Sequence, residues 1–356
     1  MTGPLNILIL GASYGSLLGT KILMGGHNVH LICLPAEAEL FNSDGAIVRT
    51  PIKGRDGLVE IRSKDLPGKL TASGPGDVDP ATFDLIALAM QEPQYRSDGV
   101  RQLLEKVAKS GKPCMSIMNM PPLPYLARIP GLDVAGLRGC FTDATVWDSF
   151  DIEKMTLCSP DPQAFRPPEE KLNVLQVRLP TNFKAARFKS DADTAIMKRL
   201  EVDIEAARFA VGSEALQIPV KLKVYDSIFV PMAKWAMLIA GNYRCVKRDG
   251  IVATRDAVHA NIEESREIYE WVEQLCISLG ADPSDMVPFE KYANAALSLL
   301  TPASAARALA NGAMNIERVD LMVKTVAAQR GKNLPAVDEI VATVESWLAK
   351  NRAKPA

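Results

Sequence analysis

One lysine, Lys234, carries the only charge between Asp226 and Arg244, inside the stretch FVPMAKWAMLIAGNYRCV (229–246). The stretch reads as a helix with a broad apolar face. An ammonium on such a face lays its methylenes on the core and keeps its head in water, or it acquires a partner or a depressed pKa. A desolvated lysine is also a useful acid. With its pKa lowered toward neutrality it stabilises a developing alkoxide and then protonates it. The stretch alone leaves both readings open, a tolerated core lysine and a proton donor. Asn242 follows eight residues later, about 12 Å along an α-helix. That distance lets the two line one wall of a cleft without gripping the same atom, and a plain core or capping amide fits Asn242 equally well.

A second chemical signal lies at the start. In NILILGASYGSLLG the glycines fall at 11, 15 and 19, directly after a β-like run and into a helix. Gly11 would make the tight turn and Gly15 would let helix and strand pack closely. The amides of Ala12, Ser13 and Tyr14, at the helix N-terminus, would then face a pyrophosphate. The middle glycine of the usual G-x-G-x-x-G is missing and the loop is one residue shorter. A bare G-x-x-x-G also serves helix packing, so its place in the first strand–helix–strand unit is what points to a dinucleotide. After the second strand, LICLPAEAEL offers no arginine, and Glu37 and Glu39 arrive late for a ribose. Arg49, Lys53 and Arg55 come only in the next segment. NAD and NADP both stay open as cofactors.

The elements that must position these residues divide the chain in two. NILIL (6–10), NVHLICL (28–34), DLIALAM (84–90) and CMSIMN (114–119) are apolar enough for strands buried on both faces. Helical segments ending in glycine separate them, which predicts a parallel, doubly wound α/β sheet. LNVLQVRLP and FKAARFKS read as an antiparallel pair around a proline turn. From 191 onward the periodicity is helical, over 191–210, 225–246, 253–279, 285–300, 302–330 and 336–350. The expected domains are a Rossmann-type unit over 1–190 and an all-helical substrate and dimerisation unit over 191–356. The tail KNRAKPA is expected to fray.

Composition removes several function classes. A chain of 356 residues suits two domains, and 47 % apolar residues permit extensive burial. A formal net charge of −1 with both signs interspersed gives no stripe for a nucleic-acid backbone. The opening has no secretory pattern, and no apolar run reaches the roughly eighteen residues of a membrane span. The six cysteines are scattered without a C-x-x-C pair, as in a reduced, cytoplasmic protein, and no metal site is expected. Only three histidines occur, too few for a His-rich metal site and poorly placed for a Ser-His-Asp triad.

These stretches together resemble the ketopantoate reductase family over most of the chain. ILILGASYGSLLGTKILMGGHNVHLI is similar to its opening, and DLIALAMQEPQ to its Lys-x-x-Gln at a strand end. There Gln91 stands for the lysine and Gln94 matches. SIMNM resembles the segment carrying a substrate-side asparagine, at Asn119. MAKWAMLIAGN resembles the Lys-x-x-x-Asn-x-x-x-Asn helix, with Lys234 matching, Leu238 replacing the first asparagine and Asn242 matching the second. TPASAARALANGAMNIERVDLMVKTVAAQRGKNLP resembles the Ser…Glu-x-Asp segment. Aligned on Gly331 and Pro335, the family glutamate falls on Asn315 and its aspartate on Glu317, while Ser304 lies within one residue of its serine.

The resemblance implies a Rossmann half followed by a helical half like that of 6-phosphogluconate dehydrogenase, with NADP or NAD as cofactor and a homodimer as the assembly. It implies Lys234 and Asn119 as catalytic residues, and Gly11 to Gly15, Gln91 and Gln94 as cofactor contacts. Asn242, Ser304, Asn315 and Glu317 would face a small carboxylate substrate. The residues read more plainly for some of these: Asn119 also suits a turn before PPLP, Ser304 a first helical turn, and Glu317, beside Arg318 and Asp320, a solvated helix face. The expected chemistry is hydride exchange with a small 2-oxo or 2-hydroxy acid. Two other readings stand beside it. An opine-type dehydrogenase reduces an imine with a His–Asp pair, for which His259 is the only histidine after residue 30. A nucleotide sensor would have kept the fold and lost the substrate site.

Overall fold

The computed structural model describes residues 3–353 and separates into two compact units. The first comprises residues 1–90, 94–118 and 146–226; the second comprises 91–93, 119–145 and 227–356.

In the first unit the apolar runs become buried strands joined by helices. In chain order these are β1 (Asn6–Leu10), α1 (Ser13–Met24), β2 (Asn28–Ile32), α2 (Pro35–Asp44), β3 (Ile47–Pro51), β4 (Leu58–Arg62), β5 (Leu70–Ser73), β6 (Leu85–Leu88), α3 (Asp98–Ser110) and β7 (Cys114–Ile117). A short helix α4 (Leu123–Leu126) belongs to the second unit. The first unit then resumes with β8 (Met155–Ser159), β9 (Gln163–Phe165), β10 (Val174–Leu179), β11 (Phe183–Ala186), α5 (Asp191–Ala206), β12 (Phe209–Val211), β13 (Glu214–Leu216) and β14 (Leu222–Tyr225). The main sheet has eight strands in the order β14-β11-β8-β7-β6-β1-β2-β5, parallel except at β8–β11. Its central strands β1, β6 and β7 are buried along almost their whole length, which is why they read as continuous apolar runs.

Two expectations change here. The runs around Pro180 do not form a hairpin. β10 pairs in parallel with β3 and antiparallel with β9 in a separate four-stranded sheet, while β11 joins the main sheet beside β8 and β14. The Asn182 side-chain Oδ1 accepts the Lys221 N–H at 3.0 Å, which ties the start of β11 to the start of β14. The division between units lies at 226–227 rather than near 190. β14 runs parallel to β11, so residues 191–226 complete the sheet instead of opening the helical half.

The second unit is helical: α6 (Lys234–Met237), a β15–β16 hairpin (Val246–Lys247 and Gly250–Ile251), α7 (Thr254–His259), α8 (Ile262–Ser278), α9 (Phe289–Ala296), α10 (Ser304–Ala310), α11 (Val319–Gln329) and α12 (Pro335–Arg352). The periodic stretch over 253–279 is two helices, because Asn261 caps α8 by accepting the Glu264 N–H at 3.2 Å. The stretch over 302–330 is likewise broken after α10. Of the tail expected to fray, residues 350–352 complete α12, and residues 354–356 lie outside the described residues. Among the described residues no helix is long and apolar enough to cross a membrane, and all six cysteines are free thiols.

Candidate active site around Lys234, Asn119 and Glu317

Three distant segments of the second unit meet at one carboxylate. Asn119, two residues past β7, donates from Nδ2 to Glu317 Oε2 at 3.2 Å. The backbone N–H of Glu92 donates to the same carboxylate, and Lys234, the first residue of α6, lies near enough for its charge to act on it. Burial pushes the Glu317 carboxyl up to about 7, and the nearby Glu92 charge adds to that. The Asn119 and Glu92 donors and the Lys234 ammonium pull in the opposite direction. A carboxyl held near neutrality among a lysine and an amide marks a candidate functional site.

Glu317 therefore does not sit on a solvated helix face. Its charged neighbours are internal instead: Arg318 grips Asp320 through two bonds of 3.0 and 3.1 Å and reaches Glu345 at 2.6 Å, clamping the start of α11. Asn119 is equally committed. Its Oδ1 is buried without a hydrogen-bond partner, an acceptor that awaits a donor. Glu92, only 2 % exposed, accepts from Thr142 N at 2.9 Å and Thr142 Oγ1 at 2.8 Å, which anchors the segment feeding its N–H to Glu317. Sequence reading passed over Glu92, since a lone glutamate after a strand carries no local pattern.

Lys234 is half-buried, between the two alternatives its sequence allowed. Beyond α6 the helix widens into a π-helical turn over Leu238–Asn242, with the Tyr243 N–H returning to Leu238 O. Such turns are rare and concentrate at functional sites. Tyr243 then reaches Glu317 directly: its hydroxyl donates to the Glu317 carbonyl and accepts the Val319 N–H at 3.1 Å. The remaining predicted residues are placed less tellingly. Asn242 is half-buried at the end of the π turn, and Ser304 is exposed as the first residue of α10. Asn315 accepts from Arg352 at 3.4 Å, and Gln91 and Gln94 are exposed. His259 contacts the Ala293 carbonyl at 2.9 Å, so it acts within the helical packing and no observation favours an opine-type site.

In the first unit the glycine loop has the form a pyrophosphate needs. Gly11 has φ +106°, and a Cβ there would lie 2.6 Å from the Ala89 carbonyl oxygen. Only glycine fits this turn. A Cβ on Gly15 would meet Ile9 Cγ2 at 2.8 Å, so α1 packs hard on β1. Ala12 caps α1 without any side-chain hydrogen bond and Ser13 is exposed, so the N-terminus of this twelve-residue helix carries no side-chain cap. These residues fit a dinucleotide.

At the end of β2 the basic candidates are redistributed. Arg49 is held by Glu60 at 2.9 Å and Glu170 at 2.6 Å, and Arg55 by Glu214. Arg166, just past β9, instead reaches Glu37, whose other oxygen accepts the Leu34 N–H at 3.1 Å. The thiol of Cys33, the residue after β2, is pushed up to about 12 by burial first and Glu37 second, with Arg166 opposing. The Arg166 guanidinium thus stands beside the strand end, delivered by the second sheet. No sequence motif announced it.

The whole architecture recurs in solved structures. A D-mandelate dehydrogenase, in a ternary structure with NADH and anilino(oxo)acetate, matches with a TM-score of 0.65 at 13 % identity, covering 98 % of this chain and 100 % of that one. The 2-dehydropantoate 2-reductase of Methylococcus capsulatus matches with a TM-score of 0.65 at 12 % identity, over 99 % of each chain. A dimeric ketopantoate reductase of Staphylococcus aureus matches with a TM-score of 0.59 at 11 % identity, over 98 % of this chain and 100 % of that one. No family model and no curated sequence matches the chain. At these identities the likeness defines the fold: a Rossmann-type sheet followed by the helical half of the ketopantoate reductases.

Proposed function

We propose that the protein is an NAD(P)H-dependent oxidoreductase that interconverts a small 2-oxo acid and its 2-hydroxy acid. The observation that carries this reading is the convergence of Lys234, Asn119 and a near-neutral Glu317 in one unit of a ketopantoate reductase fold. A bound reduced nicotinamide would supply the hydride for the carbonyl carbon. The residues of the chain do the rest. Gly11 to Gly15 hold the pyrophosphate, and Lys234 stabilises the carbonyl oxygen and delivers its proton. The Asn119 Oδ1 takes a donor from the bound molecules, and Glu317 fixes Asn119 and grips a substrate hydroxyl or amide. The sensor reading is less favoured, because Lys234, Asn119 and Glu317 together still offer an acid, an amide and a carboxylate. The same resemblance supports a homodimer, since the Staphylococcus aureus neighbour is described as dimeric.

The test is a screen of 2-oxo acids against both reduced cofactors, following nicotinamide absorbance. It should include ketopantoate, an aryl 2-oxo acid such as benzoylformate, and anilino(oxo)acetate as an inert competitor. Turnover of none of them, with no competitor binding, would overturn the reading. Among substrates, ketopantoate is expected to be a poor one. Leu238, 4 % exposed, stands where the resemblance has an amide. Losing one such grip costs about 1–3 kcal/mol, roughly tenfold or more in kcat/KM against an acid lacking the hydroxyl. Ketopantoate outrunning every apolar 2-oxo acid would refute this.

The cofactor is proposed to be NADPH. Glu37 is buried, with one oxygen turned to Arg166 and the other to the Leu34 N–H, so it is poorly placed for a ribose diol, whereas Arg166 has donors left for a 2′-phosphate. Fluorescence titration should give a Kd for NADPH at least tenfold below that for NADH, and Arg166→Gln should abolish the difference. NADH binding as tightly as NADPH would remove Arg166 from this role.

A further inference from the structure

The π turn after Lys234 has an identifiable cause on α9. The Tyr292 hydroxyl donates to the Met237 carbonyl at 3.1 Å, and a Cβ on Gly241 would lie 1.9 Å from the Tyr292 hydroxyl oxygen. In a regular α-helix Met237 O would accept from Gly241 N. Here the phenol is wedged at that point, against the one residue type that leaves room for it. A side chain inserted into the i→i−4 ladder is a recognised origin of such local widening. Tyr292 is itself fixed: its ring stacks on Tyr269 with centroids 5.3 Å apart, and Tyr269 is anchored by donating to Val287 O at 2.7 Å.

The widening has two consequences for the site. Eight steps of a regular α-helix leave Asn242 about 80° around the axis from Lys234. A turn closed by i→i+5 bonds advances less per residue, so Asn242 swings back toward the Lys234 face. The extra residue also aims Tyr243 at Glu317, where its hydroxyl bridges the Glu317 carbonyl and the Val319 amide. The lysine, the second amide and the carboxylate segment thus share one register, set at Gly241.

We propose that Tyr292 is a positioning residue for this site: its hydroxyl, wedged against Gly241, holds the π turn that brings Asn242 onto the Lys234 face. The ligand half of this rests on the oxidoreductase reading above; the geometric half does not. In that reading Lys234 takes the carbonyl oxygen of the 2-oxo acid while Asn242 lines the same wall of the cleft.

The deciding experiment is a crystal structure of Tyr292→Phe, which keeps the ring stack and removes only the hydroxyl. The expected result is a rearranged 238–242 segment with the Asn242 amide turned off the Lys234 face; a π turn unchanged with Asn242 in place would overturn the proposal. Should Tyr292→Phe fold poorly, Gly241→Ala asks the same question by displacing the hydroxyl. Adding Tyr292→Phe to Gly241→Ala should then recover part of the lost melting temperature, because the 1.9 Å contact disappears while those of Val258 Cγ2 at 3.1 Å and Tyr292 Cζ at 3.2 Å remain. No restoration would argue against the wedge. With any 2-oxo acid the screen identifies, Tyr292→Phe should raise KM about tenfold and leave kcat within twofold. Asn242→Ala should add nothing further in that background. A fall in kcat with unchanged KM, or additive losses, would mean general damage instead. If no 2-oxo acid is turned over, the functional reading fails while the crystal structure still decides the wedge.

Discussion

Lys234→Met is expected to keep the fold and the dinucleotide affinity while lowering turnover of an established 2-oxo acid by about 10²–10⁴, the usual share of general acid catalysis. Methionine preserves the length and apolar body of the side chain, so packing along α6 changes little. What disappears is the proton and the charge. The structure adds a second signature. Lys234 is one of the groups that restrain the Glu317 carboxyl, so its removal should leave Glu317 protonated to still higher pH. A merely tolerated core lysine predicts something else: unchanged turnover, with higher thermal stability from the lost desolvation cost. Unchanged turnover in Lys234→Met would end the catalytic assignment whatever the melting temperature. A cofactor-binding, folded and nearly inactive variant would support it.

Glu317→Gln is expected to trade activity for stability in a pH-dependent way. Burial raises the folded Glu317 carboxyl from 4.5 to about 7. Below about pH 4.5 both folded and unfolded chains hold the proton, so nothing is lost. Between these values the unfolded chain releases its proton while the folded chain keeps it. Stability therefore falls as pH rises, and the penalty is complete above about pH 7, where it amounts to up to roughly 3 kcal/mol. Glutamine carries no such penalty and still offers Asn119 an acceptor. The variant should melt with the wild type at pH 4 and several degrees above it at pH 8. Its kcat/KM should fall by about 10–100-fold, the cost of one lost charged grip. Parallel stability profiles for the two proteins across pH 4–8 would show that Glu317 is not held near neutrality.

What the sequence determined by itself is whatever repeats within a few turns or strands. The alternation of buried runs with glycine-stopped helices specified the parallel sheet, and the spacing of Gly11, Gly15 and Gly19 specified the close α1–β1 crossing. The isolated charge of Lys234 marked its helix as unusual before any fold was known. All these are local signals, because backbone periodicity and steric room are properties of neighbours in the chain.

The tertiary structure alone decided which residues act together. Asn119 and Glu317 meet across 198 residues, and no periodicity records such a contact. Alignment on Gly331 and Pro335 brought Asn315 into the expected glutamate position, but the fold gives Asn315 to Arg352 and brings Glu317 to Asn119. Residues 191–226 read as the start of the helical half because the four residues of β14 are too few to show alternation, and only pairing with β11 makes them a strand. The π turn was equally hidden. Its sequence is an ordinary apolar helix, and the widening exists because the Tyr292 hydroxyl arrives from α9 at the one position, Gly241, with no side chain to refuse it.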